Sequence, residues 1–324
     1  MDALVLHPPI AAGLRKVETR IQRLSASSTL PGINAGTATV VDAGGKRLRP
    51  ALTLATALGL GRSPDRRVVT AAACVELIHA GSLVHDDLMD HATRRRGATT
   101  LNASLGDGKA LLIGDFMLAR AGLAALTSVS RPVAEVLAAT VVELAEGQYL
   151  ETAELFDAGR TEESALRSIT GKTAALFRAS CLVGAICAQA SPEERAGLAT
   201  YGERFGLVFQ ILDDLLDLTA TSEQLGKPAS NDLRQGVLSL PAILTKTDIS
   251  LHKGMNDDEV RDAIAALKAD GLLETTEEYC RALAADALSA LPTLRNSGIA
   301  TIMHKLPTTY LEKVLETIRR PALT

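Results

Sequence analysis

Two stretches of the sequence each place three aspartates within five residues at the end of an apolar run. They are Asp86, Asp87 and Asp90 in LVHDDLMD, and Asp213, Asp214 and Asp217 in FQILDDLLD. On a helix, the first and last aspartate of each set lie one turn apart on one face, with Cβ atoms about 5–6 Å apart. One such set is typical of a solvated helix end. Two sets on apolar helices instead favour a shared metal site.

The expected metal is a hard divalent cation. Mg²⁺ usually takes one or two carboxylates, keeps several waters and completes its shell with substrate phosphates. Calcium is disfavoured because the sequence contains no EF-hand loop. The two aspartate sets therefore predict magnesium, with their helices directing both acidic ends into one cavity.

Basic stretches accompany the acidic ones. GGKRLRP contributes Lys46, Arg47 and Arg49, and the run RRRG begins four residues after Asp90. Arginine forks suit phosphate groups, so RRRG beside three carboxylates is interpreted as an anion clamp. His79 lies seven residues before Asp86 on the same side of the helix. GKTAAL resembles the end of a P-loop, but GxxxxGK[ST] is not satisfied.

Together these residues predict a ligand that is polyanionic at one end and apolar at the other. Carboxylates, cations and apolar helices in one site suit a diphosphate attached to a hydrocarbon chain.

The elements that carry these residues are predicted to be helices throughout. The chain of 324 residues is 47% hydrophobic but only 3% aromatic, and alanine and leucine are abundant, which favours helices over sheets. Long helical stretches follow Pro50, whereas residues 26–45 are rich in Ser, Gly and Thr and are predicted to form a loop. No alternating strand pattern is present. The prediction is an all-α, single-domain bundle of more than four helices.

Composition also limits location and partners. A net charge of −4 gives no indication of nucleic-acid binding. The four cysteines occur singly, which disfavours a zinc site or a disulfide framework. The first residues do not have the pattern of a signal peptide, and no uncharged run reaches about 18 residues. We expect a soluble, cytoplasmic protein.

The ordered motifs resemble those of the trans-polyprenyl diphosphate synthases, of the medium- and long-chain type. The resemblance extends from about Lys46 to Pro241. It rests on GGKRLRP, LIHAGSLVHDDLMD, RRG, GDFMLARA, EGQYLE, KTAALF, GLVFQILDDLLD and LGKPASNDLRQGVLSLP. It implies the isoprenoid synthase fold, an all-α bundle around a deep central cavity, in a homodimer. The single domain would comprise an N-terminal helix and loop (1–45), a motif-bearing core (46–241) and C-terminal helices (242–324).

The resemblance assigns roles position by position. It implies Mg²⁺, as three ions per site with diphosphate bound, held by Asp86, Asp87, Asp90, Asp213, Asp214 and Asp217. The allylic diphosphate would also contact Arg95, Lys172 and Lys227. Isopentenyl diphosphate would bind Lys46, Arg49, His79 and Arg96. The reaction centre would be lined by Thr173 and Gln210. One position departs from the family pattern, because Val237 stands where a lysine is usual.

Product length is expected to depend on the side chains below the first aspartate set. Gly81 and Ser82 precede Asp86 by five and four residues, and Ile78 lies deeper. Phe116 is a candidate for the floor, the side chain that closes the end of the product cavity. Small side chains at the first two positions predict a product longer than C20, shortened by Gly81→Phe. Each added isoprenyl unit buries five carbons, worth up to ~4 kcal/mol, so we expect slow product release with transient membrane contact.

Three alternatives remain open from the sequence. A short-chain synthase making geranylgeranyl or farnesyl diphosphate would differ only in the floor. A class I terpene cyclase uses similar metal chemistry but needs no second diphosphate site, and KRLRP and RRG argue against it. A non-enzymatic subunit of a heteromeric synthase would have eroded aspartate sets, whereas both are intact here.

Overall fold

The structure is a computed structural model that describes residues 2–95, 97–219 and 230–319. These residues are mostly helical with almost no sheet, as the sequence predicts. The first part contains α1 (Asp2–Val5), α2 (Pro8–Ser25), α3 (Pro31–Asp42), α4 (Leu48–Gly59), α5 (Arg66–Met89), α6 (Leu101–Leu105), α7 (Asp107–Ser128) and α8 (Arg131–Ala153). Next come α9 (Glu162–Ile169), a π-helix termed π1 (Thr170–Ala174), α10 (Ala175–Cys187) and α11 (Pro192–Thr219). The last are α12 (Asn231–Gln235), α13 (Leu240–Thr245), α14 (Asp257–Ala269), α15 (Leu272–Ala290) and α16 (Ser297–Arg319).

The chain forms two compact units. The first unit comprises the described residues of Met1–Val142, Leu176–Ala199 and Pro292–Met303. The second comprises those of Glu143–Ala175, Thr200–Leu291 and His304–Thr324. Their boundaries do not coincide with residues 45 and 241, and the predicted single domain with its three segments stays a prediction.

Helix α5 is central to the first unit. Asp65 caps its start by accepting hydrogen bonds from the backbone N–H groups of Arg67 (2.9 Å) and Val68 (3.0 Å). The helix is apolar on all sides over most of its 24 residues, which is typical of a helix buried in a core. It packs against α2, α4 and α7. The burial of α5 fixes the position of the first aspartate set at its C-terminal end.

The second unit contains α11 from Thr200 onward, the part of this 28-residue helix that includes the second aspartate set. Its core is aromatic where α11 meets α16. Phe209 stacks on Tyr310 with ring centroids 5.2 Å apart, and Phe205 meets the same ring edge-on at 6.1 Å. Such pairs contribute about 0.5–1.5 kcal/mol beyond burial of area. They fix the turn of α11 that precedes Asp213.

The predicted loop over residues 26–45 is wrong in its centre, where α3 forms. Pro31 occupies the first turn of this helix, a favourable position for proline. The buried hydroxyl of Thr37 donates to the carbonyl of Ser25 at 2.9 Å, and the Asn34 side chain bonds to the backbone of Ser28. These tertiary contacts outweigh the weak helix propensity of a segment rich in Gly and Thr.

A short hairpin follows the first aspartate set. Strands β1 (Arg94–Arg95) and β2 (Ala98–Thr99) pair in antiparallel register, Arg94 with Thr99 and Arg95 with Ala98. Gly97 takes a φ of 81° in the turn between them. Strands of two residues are too short to produce an alternating pattern, so they could not be predicted from the sequence.

Three helical segments are long and apolar enough to cross a membrane by length and composition alone. They are Arg66–Met89, Asp107–Ser128 and Glu162–Cys187. The apolar windows of the first and third are 78% and 72% buried within the protein. The window of α7 is only 39% buried, so this helix presents an apolar surface.

Candidate functional site

The first aspartate set lies on the last turn of α5. Asp86 is half-buried, Asp87 is buried, and Asp90 is exposed at the C-cap. Arg95 on the hairpin donates from Nε to Oδ1 of Asp87 at 2.6 Å. Burial raises the pKa of Asp87, the bond from Arg95 opposes this shift, and the charge of Asp90 adds to it. The hairpin therefore holds one carboxylate of the set beside a cation.

Two polar residues fix the turn that follows this set, and neither was predicted from the sequence. Thr100 donates from its hydroxyl to the carbonyl of Ala92 at 2.7 Å. The Asn102 amide donates to the same carbonyl at 2.9 Å and to the carbonyl of Asp87 at 3.3 Å. A threonine and an asparagine at these positions do not by themselves indicate this role, because their partners come within reach only once the hairpin has folded.

The structure brings together two of the residues predicted to bind isopentenyl diphosphate. Nη1 of Arg49, on α4, lies 3.3 Å from Nε2 of His79, on α5. The Arg49 guanidinium also lies 4.5 Å above the ring centroid of Phe177, a cation–π contact that the sequence did not predict. These contacts fix the orientation of the guanidinium. Lys46 is exposed on the preceding loop.

Arg47, which lies between Lys46 and Arg49 in the sequence, has a structural role. It binds the Glu18 carboxylate on α2, and its Nη1 donates to Glu76 on α5 at 2.8 Å. Its Nη2 also donates to the carbonyl of Val41 at 3.1 Å. Burial lowers the pKa of Arg47, but the hydrogen bonds and charges of Glu18 and Glu76 outweigh it, and the net shift is upward.

The second unit assembles a relay of hydrogen bonds around the second aspartate set. The Thr173 hydroxyl donates to Oε1 of Gln210 at 2.8 Å, and Nε2 of Gln210 donates to Oδ1 of Asp214 at 2.7 Å. Asp213 is exposed, whereas Asp214 is buried. Burial raises the pKa of Asp214 well above the usual aspartate range, and the charge of Asp232 adds to this shift. The relay holds the Gln210 amide in one orientation.

Asp217, the last residue of the set, is buried. Its Oδ2 accepts from the backbone N–H of Asp232 at 3.1 Å, and its carbonyl accepts from that of Ser230 at 2.9 Å. Asp217 therefore ties the end of α11 to the start of α12. The sequence predicted a metal ligand here and did not predict this contact.

Lys172 and Thr173 belong to π1, in a helical stretch that continues on both sides. π-Helical turns are rare and occur often at functional sites. Lys172 Nζ is paired with the Glu151 carboxylate of α8. The two segments approach closely at Gly147, where an added Cβ would lie 2.3 Å from the backbone nitrogen of Lys172. The EGQYLE motif (146–151) thus contributes both Gly147, which allows this close approach, and Glu151, which pairs with Lys172.

The residues predicted to control product length have different environments. Ile78 is buried, whereas Ser82 and Phe116 are half-buried. An added Cβ on Gly81 would lie 3.2 Å from each of the Gly114 carbonyl oxygen, Met117 Cβ and Leu118 Cδ2. Helix α7 occupies the space beside Gly81, so the open cavity expected at this glycine is wrong.

The remaining predicted ligands, Arg96 and Lys227, lie outside the described residues. Within the described part of the chain, no three carboxylate, imidazole or thiol groups converge as a ready-made metal site. Two carboxylates one helical turn apart nonetheless fit Mg²⁺, which draws its other ligands from water and substrate phosphates. The common cavity for both aspartate sets stays a prediction.

Comparisons with known proteins agree with these features. A family model described as polyprenyl synthetase matches residues 32–268. The chain is 36% identical over 267 residues to the octaprenyl diphosphate synthase of Escherichia coli (strain K12), which covers 79% of this chain and 82% of that protein. It is 38% identical over 245 residues to the short chain isoprenyl diphosphate synthase of Methanocaldococcus jannaschii. This match covers 70% of this chain and 73% of that protein. A solved structure of a decaprenyl diphosphate synthase from Rhodobacter capsulatus matches with a TM-score of 0.88 at 32% identity. The match covers 97% of this chain and 99% of that one.

Proposed function

The chain belongs to the polyprenyl synthetase family and is a prenyltransferase, and we propose that it uses Mg²⁺ to condense isopentenyl diphosphate with an allylic diphosphate. The product is an all-trans polyprenyl diphosphate longer than C20. The family supports the reaction class. The metal requirement and the product length are our proposals.

The observation that carries the proposal is the presence of two different anion-binding arrangements on α5. Its last turn holds Asp86 and Asp90, which suit a metal-bound diphosphate. His79 lies seven residues earlier, about 10 Å along the axis, and contacts the cation Arg49. A diphosphate bound through metal and another bound directly by cations are the two substrates of a condensation. A terpene cyclase needs only the diphosphate that is bound through metal.

Diphosphate leaves its carbon only when the charge that develops on it is neutralised. Mg²⁺, when bound, supplies this neutralisation as a Lewis acid. Asp86, Asp87 and Asp90 would hold it in the first unit, and Asp213, Asp214 and Asp217 in the second. Arg95 is already charged and lies beside Asp87, so it would bind the same diphosphate as the carboxylate turns toward the metal.

The carbon chemistry depends on orientation and on the exclusion of water. The Gln210 amide, held by Thr173 and Asp214, would present a fixed dipole to the allylic cation left by ionisation. The double bond of isopentenyl diphosphate attacks this cation, and the departing diphosphate accepts the proton that is then lost. Lys172 would exchange its partner Glu151 for that diphosphate. Apolar walls around the reaction centre would exclude the water that otherwise traps the cation.

Product length separates the main proposal from its nearest alternative, a short-chain synthase. The small Ser82 side chain and the absence of an aromatic residue at positions 78 and 82 support a long product. The names of the relatives include both octaprenyl and short-chain enzymes, so they support the class without selecting the length. Both aspartate sets are intact, which supports an active enzyme over a non-catalytic subunit.

The setting of the reaction is also proposed. We propose a homodimer in the cytoplasm that contacts a membrane transiently when the long apolar product is released. Three Mg²⁺ ions per site would act when the diphosphate is bound.

The test is a product assay with purified protein. Labelled isopentenyl diphosphate and Mg²⁺ are incubated separately with dimethylallyl, geranyl, farnesyl and geranylgeranyl diphosphates. The dephosphorylated products are then separated by length. We expect a ladder that ends beyond C20 and that chelation of the metal abolishes.

Asp86→Ala is the matched control, because it removes one metal ligand while the rest of α5 remains. We expect at least about a hundredfold loss of product, the scale typical of removing one stabilising group at a transition state. A ladder that ends at C15 or C20 would select the short-chain alternative. No incorporation from any primer would contradict the proposed function and would direct attention to Val237.

A further inference from the structure

A basic cleft lies between α2 and the start of α5, away from the first aspartate set. Its volume is about 470 Å³, and it is lined by Lys16, Thr19, Arg20, Arg23, Arg66 and Val69. We term this the α2–α5 cleft. Four of its six residues are cations, and no carboxylate lines it.

The spacing of the cleft residues on α2 places them on one face of the helix. Lys16, Thr19, Arg20 and Arg23 stand at positions i, i+3, i+4 and i+7. Cations three or four residues apart on a helix repel each other. Arg66 adds a further cation in the first turn of α5, where the helix dipole favours negative charge. A cluster of this kind becomes favourable when an anion joins it.

Within the described residues, none of the four cations forms an ion pair with a carboxylate. The nearest acids in the sequence are already engaged. Glu18 binds Arg47, and Asp65 caps α5 and pairs with Arg62. The charge of the cleft is therefore uncompensated by the protein itself.

Arg20 also has unused hydrogen-bonding capacity. Its Nη2 reaches only the Ser128 hydroxyl, at 3.5 Å, and its Nε is buried without an acceptor. A buried donor without a partner is unfavourable, because it has lost its hydrogen bonds to water. An anion that enters the cleft would accept from the guanidinium and neutralise the neighbouring charges together.

The cleft is separate from the first aspartate set. Arg66 and Asp86 are twenty residues apart on α5, about 30 Å along its axis. A diphosphate held by the first aspartate set cannot reach Arg66. A ligand in the cleft must be a second molecule.

We propose that the α2–α5 cleft is a binding site for a phosphate-bearing anion. Arginine forks recognise phosphate oxygens through paired hydrogen bonds, and the Thr19 hydroxyl and Lys16 ammonium add donors of the type that phosphate accepts. The phosphate group can belong to a free diphosphate or to the headgroup of an anionic lipid. This site is independent of the proposed prenyl transfer.

Two binding measurements distinguish these sources. Inorganic pyrophosphate is titrated into the protein by calorimetry in EDTA, so that metal-dependent binding at the reaction site does not contribute. Sedimentation with phosphatidylcholine vesicles, with and without phosphatidylglycerol, tests the lipid headgroup. Binding in either experiment should weaken as salt is added, because charge interactions are screened.

The cleft variant is Arg20→Gln/Arg23→Gln, and the matched control is Arg15→Gln/Lys268→Gln. The control removes the same charge from exposed positions outside the cleft. We expect about tenfold weaker binding of pyrophosphate or of anionic vesicles for the cleft variant only, since it loses two charge-assisted donors. Elongation activity should be the same in both variants.

If Arg20→Gln prevents folding, Arg23→Gln/Arg66→Gln gives the same test, because both side chains are exposed. Weaker binding of pyrophosphate by the cleft variant assigns the cleft to a soluble diphosphate. Weaker binding of anionic vesicles by that variant assigns it to a lipid headgroup. Equal binding by cleft and control variants in both experiments, or no binding by the unmodified protein, would overturn the proposal.

Discussion

At the scale of single residues, Arg47 explains how the basic loop keeps its shape. It takes a φ of 48°, in the left-handed region that is uncommon for residues other than glycine. Its side chain is mostly buried and joins Glu18 on α2 to the buried Glu76 on α5. The sequence predicted ligands at Lys46 and Arg49 and passed over Arg47. Its role depends on two acids from distant segments.

Arg47→Ala should therefore destabilise the protein and disturb its neighbours. Removing one member of a buried ion pair costs about 3–5 kcal/mol, because the remaining charge is left uncompensated. Denaturant unfolding should show this loss. The KM for isopentenyl diphosphate should rise more than the KM for the allylic substrate, since Arg49 follows on the same turn. Adding Glu76→Gln should recover part of the stability. An unchanged free energy of unfolding would contradict this account.

At the scale of secondary-structure elements, α5 and α7 pack too closely for the test suggested by the sequence alone. A Cβ at position 81 would lie 3.2 Å from the backbone of α7, so Gly81→Phe must displace that helix. Overpacking of this kind costs about 1–3 kcal/mol or more. Ser82 is half-buried and lies on the same face as His79 and Asp86. It is the better position for a new floor.

We expect Ser82→Phe to shorten the longest product while the protein keeps its thermal stability. The bulky ring would lie one turn before Asp86 and block growth of the chain. The measurement is the length distribution of dephosphorylated products beside an unfolding curve. Gly81→Phe serves as the contrast, with a lower unfolding temperature. An unchanged ladder for a folded Ser82→Phe protein would contradict the proposed route of the chain along this face.

Long apolar helices could be predicted from the sequence, and short elements could not. The prediction of long helices after Pro50 is confirmed by α5, because burial on all sides leaves a continuous apolar run. Helix α3 was missed because Thr37 and Asn34 hold it through contacts outside its own segment. Similarly, Glu151 and Tyr310 could not be recognised as partners of Lys172 and Phe209, since many residues separate each pair.

At the scale of the whole molecule, the exposed side of α7 bears on the proposed homodimer. Leu112, Leu123 and Leu126 are 63%, 50% and 55% exposed. They recur at spacings of eleven and three residues, which align them in one stripe on the helix. Contiguous apolar surface of this kind marks an interaction site. A second copy of α7 is the partner that the proposed homodimer supplies.

Leu123→Glu/Leu126→Glu should therefore convert the dimer to a monomer. Each leucine buried at an interface contributes about 1.5–3 kcal/mol, whereas a glutamate buried there without a partner is unfavourable. Light scattering during size-exclusion chromatography gives the mass directly. Leu30→Glu is the control, because Leu30 is 59% exposed but lies outside this stripe. If the double variant keeps the mass of a dimer, another surface joins the protomers. If the unmodified protein is a monomer, the homodimer itself is wrong.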